Sequence, residues 1–221
     1  MERHFVKEMD VLNGRIIAMG AKAVEMIHTA IQSLVDRRAE MAEAVLALEH
    51  QMNQMHVEND EFALKLLATQ QPMAADLRFL VTAMKINSEL ERIGDQAVNV
   101  AESTQILLQQ PPLKPLIDLP MMADQAEHMV RESLDAFVKR DPIRAEAVIM
   151  MDDRVDAFKD QIFRELLTYM MSEPSTIPRA ITLVLVSRNL ERIGDQAVNI
   201  SEDIIYMAVG KDVRHPRERG M

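Results

Sequence analysis

Cysteine is absent from the 221 residues and glycine is scarce, at 6. The first absence removes disulfides and thiolate metal sites, which fits the cytosol. No long apolar run exists either: the longest, near Leu183, is far too short to cross a bilayer, and MERHFVKEMD at the start has no signal-peptide core. Any membrane role must therefore come through a partner. Basic charge is also in deficit, with 25 Lys and Arg against 35 Asp and Glu and a net charge of −10. A chain of that sign lacks the cationic face that neutralises phosphates, so nucleic acid is excluded as a ligand and metal cations or basic protein surfaces are favoured.

What is present is helical periodicity. Ile16, Met19, Ala23, Met26, Ile27, Ala30, Ile31 and Leu34 recur at three- and four-residue steps, as do Val45, Leu48, Met52 and Met55, and then Ala83, Ile86, Leu90, Ile93, Ala97 and Val100. No strand alternation interrupts them. The stretch QQPPLKPLIDLP, Gln109 to Pro120, breaks the pattern with Pro111, Pro112, Pro115 and Pro120 and reads as a semi-rigid connector. Further helices are predicted to start near Met121, Pro142 and Thr176. The methionines fit gap-filling core positions.

The ten letters LERIGDQAVN occur twice, from Leu90 and from Leu190, an offset of 100. An offset of 103 aligns Met26 with Met129, Leu34 with Phe137, Ala42 with Ala145, Val45 with Val148 and Met52 with Val155. The chain therefore reads as all-α, built as two tandem three-helix bundles. Residues 1–110 form the first repeat, 111–120 the connector, 121–210 the second repeat and 211–221 a flexible tail.

Within the duplicated stretch, Glu91 and Asp95 lie about 40° apart around a helix, with Asn99 and Glu102 close to the same line. Glu191, Asp195, Asn199 and Glu202 repeat this stripe. Carboxylates four apart repel one another, and something must offset that repulsion. The 103 offset adds a second pair per half, since Glu49 matches Asp152 and Asn53 matches Asp156. Oxygen donors in this arrangement suit hard cations such as Mg²⁺, Mn²⁺, Ca²⁺ or Fe³⁺. The bland alternative is a solvated charged helix flank. Gly94 and Gly194, one residue before the aspartates, would admit a close neighbour. Arg92 and Arg192 are expected to pair with nearby acids or to support ligands from behind. His56 falls at helical spacing from Glu49 and Asn53, but its counterpart is Lys159, so it is expected to be a satisfied or exposed histidine. Glu25-x-x-His28 has no second copy, which argues against a ferritin-like di-iron centre. Neither a phosphate-binding glycine loop nor a nucleophile elbow is present. That leaves a metal-dependent hydrolase or a metal store as the runner-up to a non-enzymatic role.

The duplicated LERIGDQAVN, the acid pairs on the preceding helices and the segment QQPMAADLR, Gln70 to Arg78, closely resemble the PhoU family. The resemblance implies a cytoplasmic, homodimeric negative regulator of the phosphate-starvation (Pho) response and a modulator of phosphate uptake. Its implied partners are the sensor histidine kinase PhoR and the ATPase subunit of the phosphate ABC transporter. It implies metal ions (Mg, Mn, Fe or Zn) on Glu91, Asp95, Glu191, Asp195, Asp152 and Asp156, with Glu49 in the remaining acid position. Asn53 departs from the aspartate of that pattern. Asn53, Asn99, Glu102, Asn199, Glu202, Arg92 and Arg192 remain as additional ligands or supports. For QQPMAADLR the alternatives are capping of the third helix and contact with a partner.

Overall fold

In the computed structural model, which describes residues 2–210, six helices follow one another: α1 (Glu2–Val35), α2 (Ala39–Gln70), α3 (Ala74–Leu108), α4 (Asp118–Lys139), α5 (Pro142–Ser172) and α6 (Ile177–Val209). A 3₁₀ turn, Pro174–Thr176, leads into α6, and no strand occurs among the described residues. The tail expected at 211–221 lies outside them.

The two offsets are visible in the packing. Met26 and Met129, Leu34 and Phe137, Ala42 and Ala145, Val45 and Val148, and Met52 and Val155 are all buried. So are Ile86 and Val186, Leu90 and Leu190, and Ile93 and Ile193. Equivalence extends to the turns: Arg37 and Arg140, 103 apart, both adopt the left-handed conformation, with φ of 55° and 51°. Behind them the chain closes the preceding helix in the same way, Arg38 N–H donating to the Ser33 carbonyl and Asp141 N–H to that of Ala136, each at 3.0 Å. This is the six-to-one closure of a helix C-terminus. Asp141 also begins α5, its carboxylate accepting from the N–H groups of Ile143 and Arg144 while Pro142 takes the first helical position.

Each half is a three-helix unit, and the halves meet through α3 against α6 and α1 against α4. Arg78 Nε donates to the Met207 carbonyl (3.3 Å), Lys85 Nζ to Asp203 Oδ1 (2.8 Å) and Asn199 Nδ2 to Glu89 Oε2 (3.3 Å). As one number climbs the other falls, so α3 and α6 are antiparallel and the two duplicated stretches cross near their centres. One continuous apolar core runs through both halves.

Three expectations need adjusting. Helix α4 begins at Asp118 rather than near Met121, because Pro120 sits in its first turn, where a missing N–H costs nothing. Leu48 and Met55 are only partly buried, at the edge of the core. Met19, Met26, Met52, Met122 and Met129 do fill the interior, but Met73, Met150 and Met171 face solvent. The connector is pinned on both sides. Arg37 donates to the carbonyls of Leu107, Leu108 and Gln110, and Arg179 to that of Pro111. The buried Lys114 pairs with Glu165 of α5.

Candidate metal centre

Helices α2 and α3 bring the first-half acids together, and α5 and α6 those of the second half. The glycines make this possible in different ways. A Cβ on Gly94 would meet Met52 Cγ at 3.2 Å, so there the glycine admits an apolar neighbour. On Gly194 it would meet Asp152 Oδ1 at 3.0 Å, so there it admits the carboxylate itself.

In the second half, Asp152 is half-buried and its pKa is pushed up to about 6, first by burial and then by the charges of Asp195, Asp156 and Glu191. Burial likewise raises Asp195, with Glu191 and Asp156 adding to it and Lys159 and Arg192 opposing. These four acids therefore share one electrostatic neighbourhood, as expected from their spacing. Into it reaches Lys159, whose Nζ donates to Asp156 Oδ1 at 2.7 Å and to Glu191 Oε1 at 3.0 Å. Those two bonds hold its ammonium protonated well above the usual lysine range.

In the first half, burial raises Glu91 most, followed by Asp95, with a smaller contribution from Glu49; His56 and Arg92 act in the opposite sense. Asp95 is raised by burial. His56 falls between its two expected states. Its ring is partly buried, and Nε2, with no hydrogen-bond partner among the described residues, lies within ion-pair reach of Asp60 Oδ2 at 3.7 Å. The reason lies in its neighbours. Asp60 is engaged by Asn87 Nδ2 at 2.9 Å, and Asn87 also donates to the His56 carbonyl at 2.9 Å and accepts from the buried Asn59 at 3.0 Å. This asparagine network fixes the α2 backbone at His56 and holds Asp60 beside its ring.

Other residues are more scattered. Asn53 and Glu102 are exposed, and Asn99 is half-buried one turn beyond Asp95. Arg92 pairs with Glu89 at 3.0 Å, the local partnership its position suggested. Arg192 is exposed and contributes through its charge on Asp195. Asn199 turns away from its stripe to Glu89, and Glu202 is half-buried farther along α6. Glu25 bonds Lys22 at 2.8 Å, while His28 faces Glu127 of α4 at 3.4 Å. In QQPMAADLR no side chain caps α3; Arg78 instead ties α3 to the end of α6. Sequence reasoning missed the groove between α3 and α6, lined by Lys85, Ser88, Glu89, Arg92, Asn199 and Asp203. Helix periodicity places these residues on one face of each helix, but only tertiary pairing joins them.

The donor set suits a hard cation, since carboxylates forced together by folding are stabilised by a positive charge placed among them. In this conformation no three His, Asp or Glu side chains converge on one point among the described residues. In the first half Glu49, Glu91 and Asp95 are the acids that would hold an ion. In the second, Asp152, Asp156, Glu191 and Asp195 are already served by the Lys159 ammonium.

Comparison with known proteins gives a consistent answer. The PhoU domain model matches residues 16–104 and again 119–204. The phosphate-specific transport system accessory protein PhoU homologue of Pseudomonas aeruginosa is 36% identical, over 97% of this chain and 89% of the relative. The Aquifex aeolicus homologue is also 36% identical, over 97% of this chain and 98% of its own length. Among solved structures, PhoU from Pseudomonas aeruginosa superposes with a TM-score of 0.90 at 35% identity, covering 94% of this chain and all of that one. The phosphate transport system regulatory protein PhoU from Streptococcus pneumoniae gives 0.87 at 26% identity, covering 95% and 99%.

Proposed function

Because the chain belongs to the PhoU family, we propose that it is a non-catalytic accessory protein of a phosphate-specific transport system, restraining the phosphate-starvation response when phosphate is ample. The observation that carries this reading is the double match of the PhoU domain together with likeness to PhoU proteins along nearly the whole chain. Its working surfaces are helix faces, and no helix among the described residues is long and apolar enough to cross a membrane. In this reading it works from the cytoplasm, as a homodimer, between the transporter's ATPase subunit and the sensor kinase PhoR. Long rigid helices suit such an adaptor, because binding to preorganised faces costs little ordering entropy.

A metal ion ordering the acidic faces of α2 and α3 belongs to the same reading. The chemistry it supplies is charge neutralisation, allowing Glu49, Glu91 and Asp95 to remain ionised side by side. The chain's own contribution is to hold those carboxylates half-buried and short of countercharge. Deleting the gene should derepress alkaline phosphatase in phosphate-rich medium, and restoring the chain should repress it again. Affinity-tagged protein should co-purify with the transporter ATPase or the kinase. Unchanged phosphate uptake and repression in the deletion strain would overturn the regulatory reading. Robust metal-dependent hydrolysis by the purified protein would favour an enzyme.

A further inference from the structure

The two halves copy each other closely in fold, yet one matched position beside the acid groups differs in kind. It holds the imidazole of His56 in the first half and the ammonium of Lys159 in the second, 103 residues on. Lys159 bridges two helices there, from Asp156 on its own α5 to Glu191 on α6. The acids facing it from α5 are Asp152 and Asp156, and those from α6 are Glu191 and Asp195, with Arg192 the further cation acting on Asp195. In the first half the imidazole makes no hydrogen bond from Nε2 among the described residues; that nitrogen lies 3.7 Å from Asp60 Oδ2 on its own helix, and the ring acts on Glu91 together with Arg92, which pairs with Glu89.

We propose that Lys159 is a tethered cation that closes the second-half acid group, so that these residues as folded do not fit a metal ion there. An ion entering the second half must pull the ammonium from two carboxylates. The exclusion of an ion refines the metal reading above; the bridge between two carboxylates does not depend on it.

The test uses full-length protein stripped of metal. Mn²⁺ is titrated by electron paramagnetic resonance into the Glu91→Gln, Asp95→Asn double variant, and into the same protein with Lys159→Met added. The double variant should bind no Mn²⁺ tightly. Adding Lys159→Met should open the second half and tighten its binding roughly tenfold or more, the equivalent of losing one charge-assisted bond to the competing ammonium. Lys159→Arg should keep it closed. Equal affinity with and without Lys159→Met would overturn the closure. If no variant binds Mn²⁺, the metal reading fails, and melting in chelator decides the lysine alone. Lys159→Met should lower the melting temperature by about 2–4 °C, and adding Asp156→Asn should recover part of that. An unchanged melting temperature would refute the tethered cation.

Discussion

Asp152→Asn should stabilise the metal-free protein, and only above mildly acidic pH. In the fold the Asp152 carboxyl titrates near 6, against an ordinary value of 3.8. The native state thus holds this proton more tightly than the unfolded chain does. Below about pH 4 the group is neutral in both states and costs nothing. Between 4 and 6 stability falls as pH rises, and above 7 the full cost is in place. That gap corresponds to at most about 3 kcal/mol. Asp152 is only half-buried, so solvent screening leaves about 1–1.5 kcal/mol. Asparagine keeps the shape and removes the charge. For a chain of this size the gain at pH 8 should be about 2–5 °C in melting temperature. The assay is thermal denaturation by circular dichroism in chelator at pH 4 and pH 8. Burial is the larger cause, so added salt should erase only the part due to Asp195, Asp156 and Glu191. An equal shift at both pH values, or destabilisation at pH 8, would refute the electrostatic account.

Wild-type protein should gain melting temperature on adding Mn²⁺, and Glu91→Gln with Asp95→Asn should lose most of that gain, because only a native-state site converts ligand into stability. Asn87→Ala should cost about 2–3 kcal/mol in urea unfolding, since Asn59 at 3.0 Å and the His56 carbonyl and Asp60 at 2.9 Å all lose their partner at once. Gly20→Ala should destabilise by about 1–2 kcal/mol despite alanine's better helix propensity, because its Cβ would stand 2.3 Å from Leu134 Cδ1 in the contact between α1 and α4; a stabilised variant would show that this contact has slack.

The repeat carried most of the fold. Two offsets, 100 and 103, located equivalent core residues and matched the helices of one half to those of the other, because a three-helix unit must bury the same stripe in each copy. They also grouped the acids correctly by half, since 100° per residue is enough to know which side chains share a face. Two kinds of information stayed hidden. One was rotamer choice: spacing placed His56 and Lys159 in matching positions but not that one ring would sit unbonded while the other side chain bridged two helices. The other was contact between the halves. Lys85 with Asp203 and Glu89 with Asn199 lie more than a hundred residues apart, and their numbering has no period to reveal them.

That antiparallel crossing of α3 and α6 makes the molecule a dimer joined by its own chain. The 100 offset carries the pair Lys85 and Asp203 onto Ser103 and Leu185, so an ion pair on one side of the crossing has no charged twin on the other. Two identical subunits would be forced to repeat every contact twice. Fusion lifts that requirement and fixes the effective concentration of the second half, so that each copy is free to mutate without losing its mate. A separately expressed first half would leave the α3 face that meets α6 uncovered, with Arg78, Thr82, Lys85 and Glu89 stripped of their partners across the seam. The tether thus converts a symmetric assembly problem into an inherited one, and the divergence of His56 from Lys159 is the kind of specialisation it permits.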